Sequence, residues 1–107
     1  MKLLEYLDRD DRSPFAEWFA RIEARAAVKV TVALARIEQG NLSNCKSVGA
    51  GVFEFRIDYG PGYRGYFARD GADWVILLAG GTKKRQQDDI DAAKRRWQDH
   101  KQRKGKG

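Results

Sequence analysis

Two arginines, Arg56 and Arg64, stand in the alternating stretch FEFRIDYGPGYRGYF, Phe53 to Phe67. A guanidinium is a planar fork of donors that matches the oxygens of a phosphate. If the segments on either side of Gly60-Pro61-Gly62 pair as a hairpin, Glu54, Arg56, Arg64 and Tyr66 share one face of a sheet. Lys83 and Lys84, at the end of the following apolar run, then reach the edge of that face. Several cations and a tyrosine on one concave surface would suit a polyanion. The same residues also fit a solvent-facing sheet in which Glu54 and Arg64 form a cross-strand pair worth about 0.2–1 kcal/mol and have no further role. Both readings stand at this level.

Other chemistries find little material. The single cysteine, Cys45, can form neither an internal disulfide nor a metal cluster and reads as a spectator thiol in a reducing compartment; the one histidine, His100, lies in a charged tail. No His/Cys spacing suits zinc, no Ser–His pair is in view, and GAG at 49–51 and GPG at 60–62 are turns, not nucleotide-binding loops. The carboxylate pairs Asp10–Asp11 and Asp88–Asp89 fall in a turn and at a helix start, where the helix dipole accounts for the second. No metal and no cofactor is expected, and any cleavage must be done with Arg, Lys and Tyr.

The chain has 107 residues and a formal charge of +6. Residues 83–107 hold ten Lys/Arg against four Asp, which accounts for all of it, while residues 1–82 balance. That asymmetry points to a polyanion or an acidic partner, or to a tail that serves solubility. The length suits one domain, which can bury about two-thirds of its unfolded surface. The apolar start KLLEYL is cut by Glu5 and followed by charge, so neither a signal peptide nor a membrane span is expected and the protein reads as cytoplasmic.

The elements that must position these residues follow from periodicity. KLLEYL predicts a short strand. Ser13 caps and Pro14 opens a helix whose Phe15, Trp18, Phe19 and Ile22 form one apolar face; a second helix from about Ala24 carries Ala27, Val30, Leu34 and Ile37 and ends at Gly40. The two make a helical hairpin, and the next segment, to Gly51, reads as a loop. From Val52 the period becomes 2, with Phe53, Phe55, Ile57 and Tyr59 toward the helices and the charged set outward. Pro61 and Gly62 predict a type II turn, and DG at 70–71 a further hairpin, giving a three-stranded antiparallel meander. Ile90, Ala93 and Trp97 mark a final helix, with the tail from Lys101 frayed.

With these elements placed, SPFAEWF, QGNLSNCKSVGAGVFEFRIDYGPGYRGYF, LLAGGTKKRQQDDI and AAKRRW resemble, in order and spacing, the RelE/ParE toxin superfamily, in particular its HigB-like addiction module killer branch. The resemblance spans residues 2 to about 98. It implies an α+β fold with an N-terminal strand, a helical hairpin packed on a small antiparallel sheet and a C-terminal helix, as a single domain over 1–100 with a basic tail at 101–107. It also implies the toxin of a type II toxin–antitoxin system. Most such toxins cleave mRNA in the ribosomal A site without metal; the ParE group instead poisons DNA gyrase, and a degenerate member would only bind its antitoxin. The implied partners are a helix-turn-helix antitoxin, with which the toxin would sit on operator DNA, and the ribosome with its mRNA.

Carried over by chemistry, Arg64 is expected on the scissile phosphate, Arg56 supporting it, and Tyr66 orienting or stacking on the base. Lys83, beside Lys84 and Arg85, is the candidate general base and Lys46 the second candidate. Lys46, Lys84, Arg85, Gln86, Lys94 and Arg95 are expected on RNA. The superfamily pattern G-G-D-K-S-x-Q-x-x-D-I is met at Lys83, Gln86, Asp89 and Ile90 and departed from at Thr82, Lys84 and Arg85, which removes one carboxylate and adds positive charge.

Overall fold

The computed structural model describes residues 1–106. In chain order these form β1 (Lys2–Glu5), α1 (Pro14–Arg21), α2 (Ala24–Glu38), β2 (Cys45–Gly49), β3 (Val52–Ile57), β4 (Tyr63–Asp70), β5 (Trp74–Thr82), a 3₁₀ turn (Lys83–Arg85) and α3 (Gln86–Lys106). The strands make one sheet in the order β1-β5-β4-β3-β2, with β1 parallel to β5 and the other pairs antiparallel. The α+β architecture with a leading strand, a helical hairpin and a closing helix is therefore as the sequence implies. No described helix is long and apolar enough to cross a membrane.

The N-terminal helices form where capping and periodicity place them. Ser13 Oγ accepts from the Ala16 N–H at 3.0 Å, Pro14 takes the first helical position, and Phe15 and Trp18 are buried against the sheet. On α2 the buried stripe is Ala26, Val30 and Ile37, with Ala33 and Leu34 partly covered. α1 lies on β5 and α2 on β3. Together they seal a core of Phe55, Ile57, Tyr63, Phe67, Val75 and Leu77. Each such side chain contributes about 1.5–3 kcal/mol by leaving water.

Four expectations change. The segment before Gly51 is not all loop: β2 pairs with β3 as an edge strand, and Ala50 and Gly51 turn the chain with φ 55° and 82°, as a tight hairpin requires. Cys45, Lys46 and Ser47 have no alternating apolar pattern because an edge strand buries little, so periodicity gives no signal there. The hairpin turn closes one residue earlier than a type II turn at Pro61-Gly62. Tyr59 accepts from the Gly62 N–H at 3.1 Å and Gly60 takes the positive φ of 56°. The charged face of the sheet does not look onto solvent, because α3 packs across β5, β4 and β3. A second core of Val52, Tyr66, Ala68, Ile76, Leu78, Ile90, Ala93 and Trp97 fills that side, so the sheet is covered on both faces.

The tail from Lys101 is the fourth change: it is helical through Lys106. Arg103 donates to the Leu7 carbonyl at 2.7 Å and Lys104 to Asp70 at 2.6 Å, while Asp99 accepts from the Tyr6 hydroxyl at 2.6 Å. Lacking an apolar stripe, this last stretch is held to the sheet by polar tethers. Gly107 lies outside the described residues.

A bulge between Tyr66 and Phe67 in the β4–β5 register resets the alternation of β5. Val75, Leu77 and then Gly80 face the helical hairpin, whereas Ile76, Ala79 and then Gly81 face α3. A Cβ on Gly80 would overlap the Trp18 ring, and one on Gly81 would overlap the Asp89 carboxylate. Close approach of α1 and α3 to the sheet therefore requires glycine at both positions. Gly80→Ala should lower stability by about 1–3 kcal/mol, the cost of overpacking a filled core. Urea unfolding followed by tryptophan fluorescence would show a lower midpoint with an unchanged slope; an unchanged midpoint would mean that Trp18 relocates freely.

Candidate functional site

The register of β3 and β4 pairs Glu54 with Tyr66 and Arg56 with Arg64, so the four residues do share one face. Burial divides them. Glu54 is 1% and Tyr66 0% exposed, Arg64 is 6% exposed, and the Arg56 side chain is half exposed. The cross-strand cluster is thus an interior arrangement under the start of α3, open to solvent only at the Arg56 end.

Glu54 is its centre. One carboxylate oxygen accepts from Arg56 Nε at 2.8 Å, and the other from Gln86 Nε2 at 2.8 Å. Lys46 Nζ stands 4.0 Å from the first oxygen and Arg64 Nε 3.9 Å from the second. Burial alone would raise the pKa of Glu54. Hydrogen bonding from Arg56, Gln86 and the nearby Tyr66 hydroxyl, with the charge of Arg56, outweighs it and holds the carboxyl below its ordinary 4.5. Three cations around one carboxylate leave the cluster net positive.

Arg64 and Lys83 meet at the hairpin turn. The Gly62 carbonyl accepts both from Arg64 Nη1 at 3.0 Å and from the Lys83 N–H at 2.9 Å, which ties the β3–β4 turn to the 3₁₀ turn after β5. A Cβ on Gly62, at φ 78°, would stand 3.3 Å from Arg64 Nη1 and 3.6 Å from Lys83 Cβ. The result is a cleft lined by Arg56, Ile57, Asp58, Gly60, Pro61, Gly62, Tyr63, Arg64 and Lys83. Three of those side chains are cationic and one, Asp58, is acidic. A phosphate-sized anion has donors there from two different strands and from the turn that follows a third.

Of the sequence-derived candidates, Arg56, Arg64 and Lys83 therefore come together. Lys46 joins them through Glu54, directly opposite it on β2. Tyr66 does not reach the cleft: it lies entirely beneath α3, its hydroxyl close to the Glu54 carboxylate but without a well-formed hydrogen bond, and burial, then the charge and hydrogen-bonding pull of Glu54, push its pKa up. The expectation that it stacks on a base is corrected accordingly. Lys84 and Arg85 are exposed on the 3₁₀ turn, with Arg85 Nε 3.9 Å from Asp88. Gln86, expected on RNA, is committed to Glu54. Lys94 and Arg95 do not line the cleft; they border a separate hollow with Ala50 and Gln98.

Sequence reading missed Glu54 as the organiser, because its position in the alternation marks it as a surface charge and only α3 buries it. Asp89 was missed as a half-buried acid; seated over Gly81, it has its pKa raised, first by desolvation. Among the described residues, no three His, Cys, Asp or Glu side chains form a metal-binding group.

Two measurements follow. Tyr66→Phe removes a buried hydroxyl that lies beside the Glu54 carboxylate without a well-formed hydrogen bond, so stability in urea melts should change by no more than about 1 kcal/mol; a larger loss would reveal a full bond from the hydroxyl to Glu54. Glu54, with its folded pKa below 4.5, contributes stability that is present above pH 4.5 and lost as pH falls through the folded value. Asp89 works in the opposite sense. Glu54→Gln should flatten the acid limb of the stability curve below pH 4.5, and an acid limb identical to that of the parent would sink the assignment.

Against known proteins, residues 17–98 match the family described as "Phage derived protein Gp49-like (DUF891)". An uncharacterised protein of Haemophilus influenzae is 42% identical over 81 residues, covering 75% of this chain and 82% of the relative. The matched residues run from α1 to the middle of α3 and include Lys46, Glu54, Arg56, Arg64, Lys83 and Gln86.

Proposed function

Because the chain belongs to the phage-derived Gp49-like family, a toxin–antitoxin-associated group of RelE/HigB-like toxins, we propose that it is the toxin of a type II module and a ribosome-dependent mRNA endonuclease. The observation that carries the reading is the cleft in which Arg56, Arg64 and Lys83 surround the Gly60–Gly62 turn.

The chemistry asked of that cleft is transesterification. A ribose 2′-oxygen loses its proton and attacks the adjacent phosphorus, the bond to the 5′-oxygen breaks, and that oxygen takes up a proton. The products are a 2′,3′-cyclic phosphate and a 5′-hydroxyl. Charge accumulates on the non-bridging oxygens as the phosphorus becomes five-coordinate, so the main requirement is cations fixed in advance around one phosphate. Arg64, buried to 6% exposure and tethered to the Gly62 carbonyl, suits the scissile phosphate. Arg56 supports it from the neighbouring strand. Lys83 is the proposed base, with Lys46 as the alternative. Tyr66 takes no direct part.

Lys84, Arg85, Lys94 and Arg95 lie outside the cleft and would contact the RNA backbone, a contribution that falls steeply with salt. The cognate partner in this reading is a helix-turn-helix antitoxin, with which the toxin would sit on operator DNA. The site of action would be cytoplasmic.

The reading is tested by tightly controlled expression in a bacterial host, with the 5′ ends of cellular mRNA mapped. New cuts inside translated frames should appear, vanish when initiation is blocked, and be lost in Arg64→Ala and Lys83→Ala. Removing Arg64 should cost about 2–4 kcal/mol of transition-state stabilisation, that is, roughly 10²–10³-fold in rate. Growth arrest with intact mRNA, persisting in Arg64→Ala, would replace the nuclease with a protein-binding inhibitor of gyrase. No arrest together with antitoxin binding would leave a degenerate toxin, to which the departures at Thr82, Lys84 and Arg85 would then be assigned.

A further inference from the structure

The half-exposed Arg56 stands on the strand next to Arg64, directly opposite it in register. Two like charges so placed repel, and a long, solvated side chain has many ways to swing clear. What keeps Arg56 over the cleft lies behind it. Its Nε is bonded to Glu54, which has no rotational freedom to spare because its second oxygen is bonded to Gln86 at the first turn of α3. Gln86 follows directly on the 3₁₀ turn that begins with Lys83. The chain of contacts therefore runs from Arg56 through a buried carboxylate to the segment that carries the third cation of the cleft.

We infer that Glu54 is a positioning residue of the cleft, fixing the Arg56 guanidinium beside Arg64 so that both present donors to one phosphodiester. The inference rests on the cleft being a phosphate site, as proposed above, and not on the reaction that follows. Glu54 does not touch the ligand; it acts through Arg56.

The effect has a sign that sets it apart from simple charge balance. Replacing Glu54 by a neutral isostere makes the cleft more positive, and on electrostatics alone an anion would bind more tightly. If position governs, the same replacement frees Arg56 and binding weakens. Glu54→Asp sharpens the contrast: it keeps the charge but withdraws the carboxylate by one methylene.

The probe is a 2′-O-methylated trinucleotide, which cannot be cut, titrated at low salt against the intact chain and its variants by calorimetry. Circular dichroism and thermal melts confirm the fold of each. Glu54→Gln and Glu54→Asp should each weaken binding about tenfold or more, as the loss of one charge-assisted hydrogen bond to the phosphate does. In an Arg56→Ala background Glu54→Gln should add little, because both changes remove the same contact. Tighter binding by Glu54→Gln, or unchanged binding by Glu54→Asp, would overturn the positioning role while leaving the phosphate site intact. Failure of the parent chain to bind the probe would overturn the site itself and the inference with it. Should the Glu54 variants not fold, Arg56→Lys carries the test: it retains the charge but loses the Nε bond, and it should bind as weakly as Arg56→Ala. Binding at parental strength by Arg56→Lys would overturn the inference.

Discussion

A carboxylate that is 1% exposed and surrounded by Arg56, Arg64 and Lys46 is the constraint on which the functional half of this molecule depends. Taking a charge out of water is costly unless it is paired and hydrogen-bonded, and Glu54 meets both conditions only with α3 in place, because Gln86 supplies its second bond. The arginines in turn would repel one another across the β3–β4 register without it. The cluster and the docking of α3 are therefore mutually dependent: removing one partner exposes the desolvation cost of the others.

That dependence explains why the sheet is built as it is. β5 is apolar along most of its length because α1 covers one face and α3 the other. The bulge in β5 sets which of two consecutive glycines faces which helix, Gly80 receiving Trp18 and Gly81 receiving Asp89. Close helix packing on both sides of one strand end brings the 3₁₀ turn to the β3–β4 turn. There Gly62 holds Lys83 through its carbonyl and Arg64 through the same atom. The cleft is thus a product of packing beneath it, and its cations are held on strands and tethered turns, not on a free loop.

Polar tethers complete the frame where apolar surface runs out. Arg96 donates to the Leu78 carbonyl at 3.0 Å, at the bulge, while Asp70 receives both His100, at 3.1 Å, and Lys104. Several cations that look, in composition, like a free basic tail are therefore engaged in structure. The positive surface left for a polyanion is smaller than the net charge suggests, and around the cleft it consists of Arg56, Lys83, Lys84 and Arg85.

The amino-acid sequence by itself determined the elements with strong local signals. The Ser13-Pro14 cap, the apolar stripes of α1 and α2, and the period-2 run of β3 need only local propensity and burial on one side. That Arg56 and Arg64 share a face was legible for the same reason; their direct pairing was not, because the turn closes one residue earlier than Pro61-Gly62 suggests and Glu54 faces Tyr66 instead of Arg64. Tertiary structure alone decided what lay on the second face of the sheet. Whether Glu54 and Tyr66 meet water or a helix depends on where α3, thirty residues further on, comes to rest, and an alternating pattern reads the same in both cases. β2 was invisible because an edge strand buries little, and the helical tail because its bonds are to distant side chains and carbonyls. A charge pattern along the chain records which side chains are ionic; only the packed molecule decides which of them face each other and which remain for a ligand.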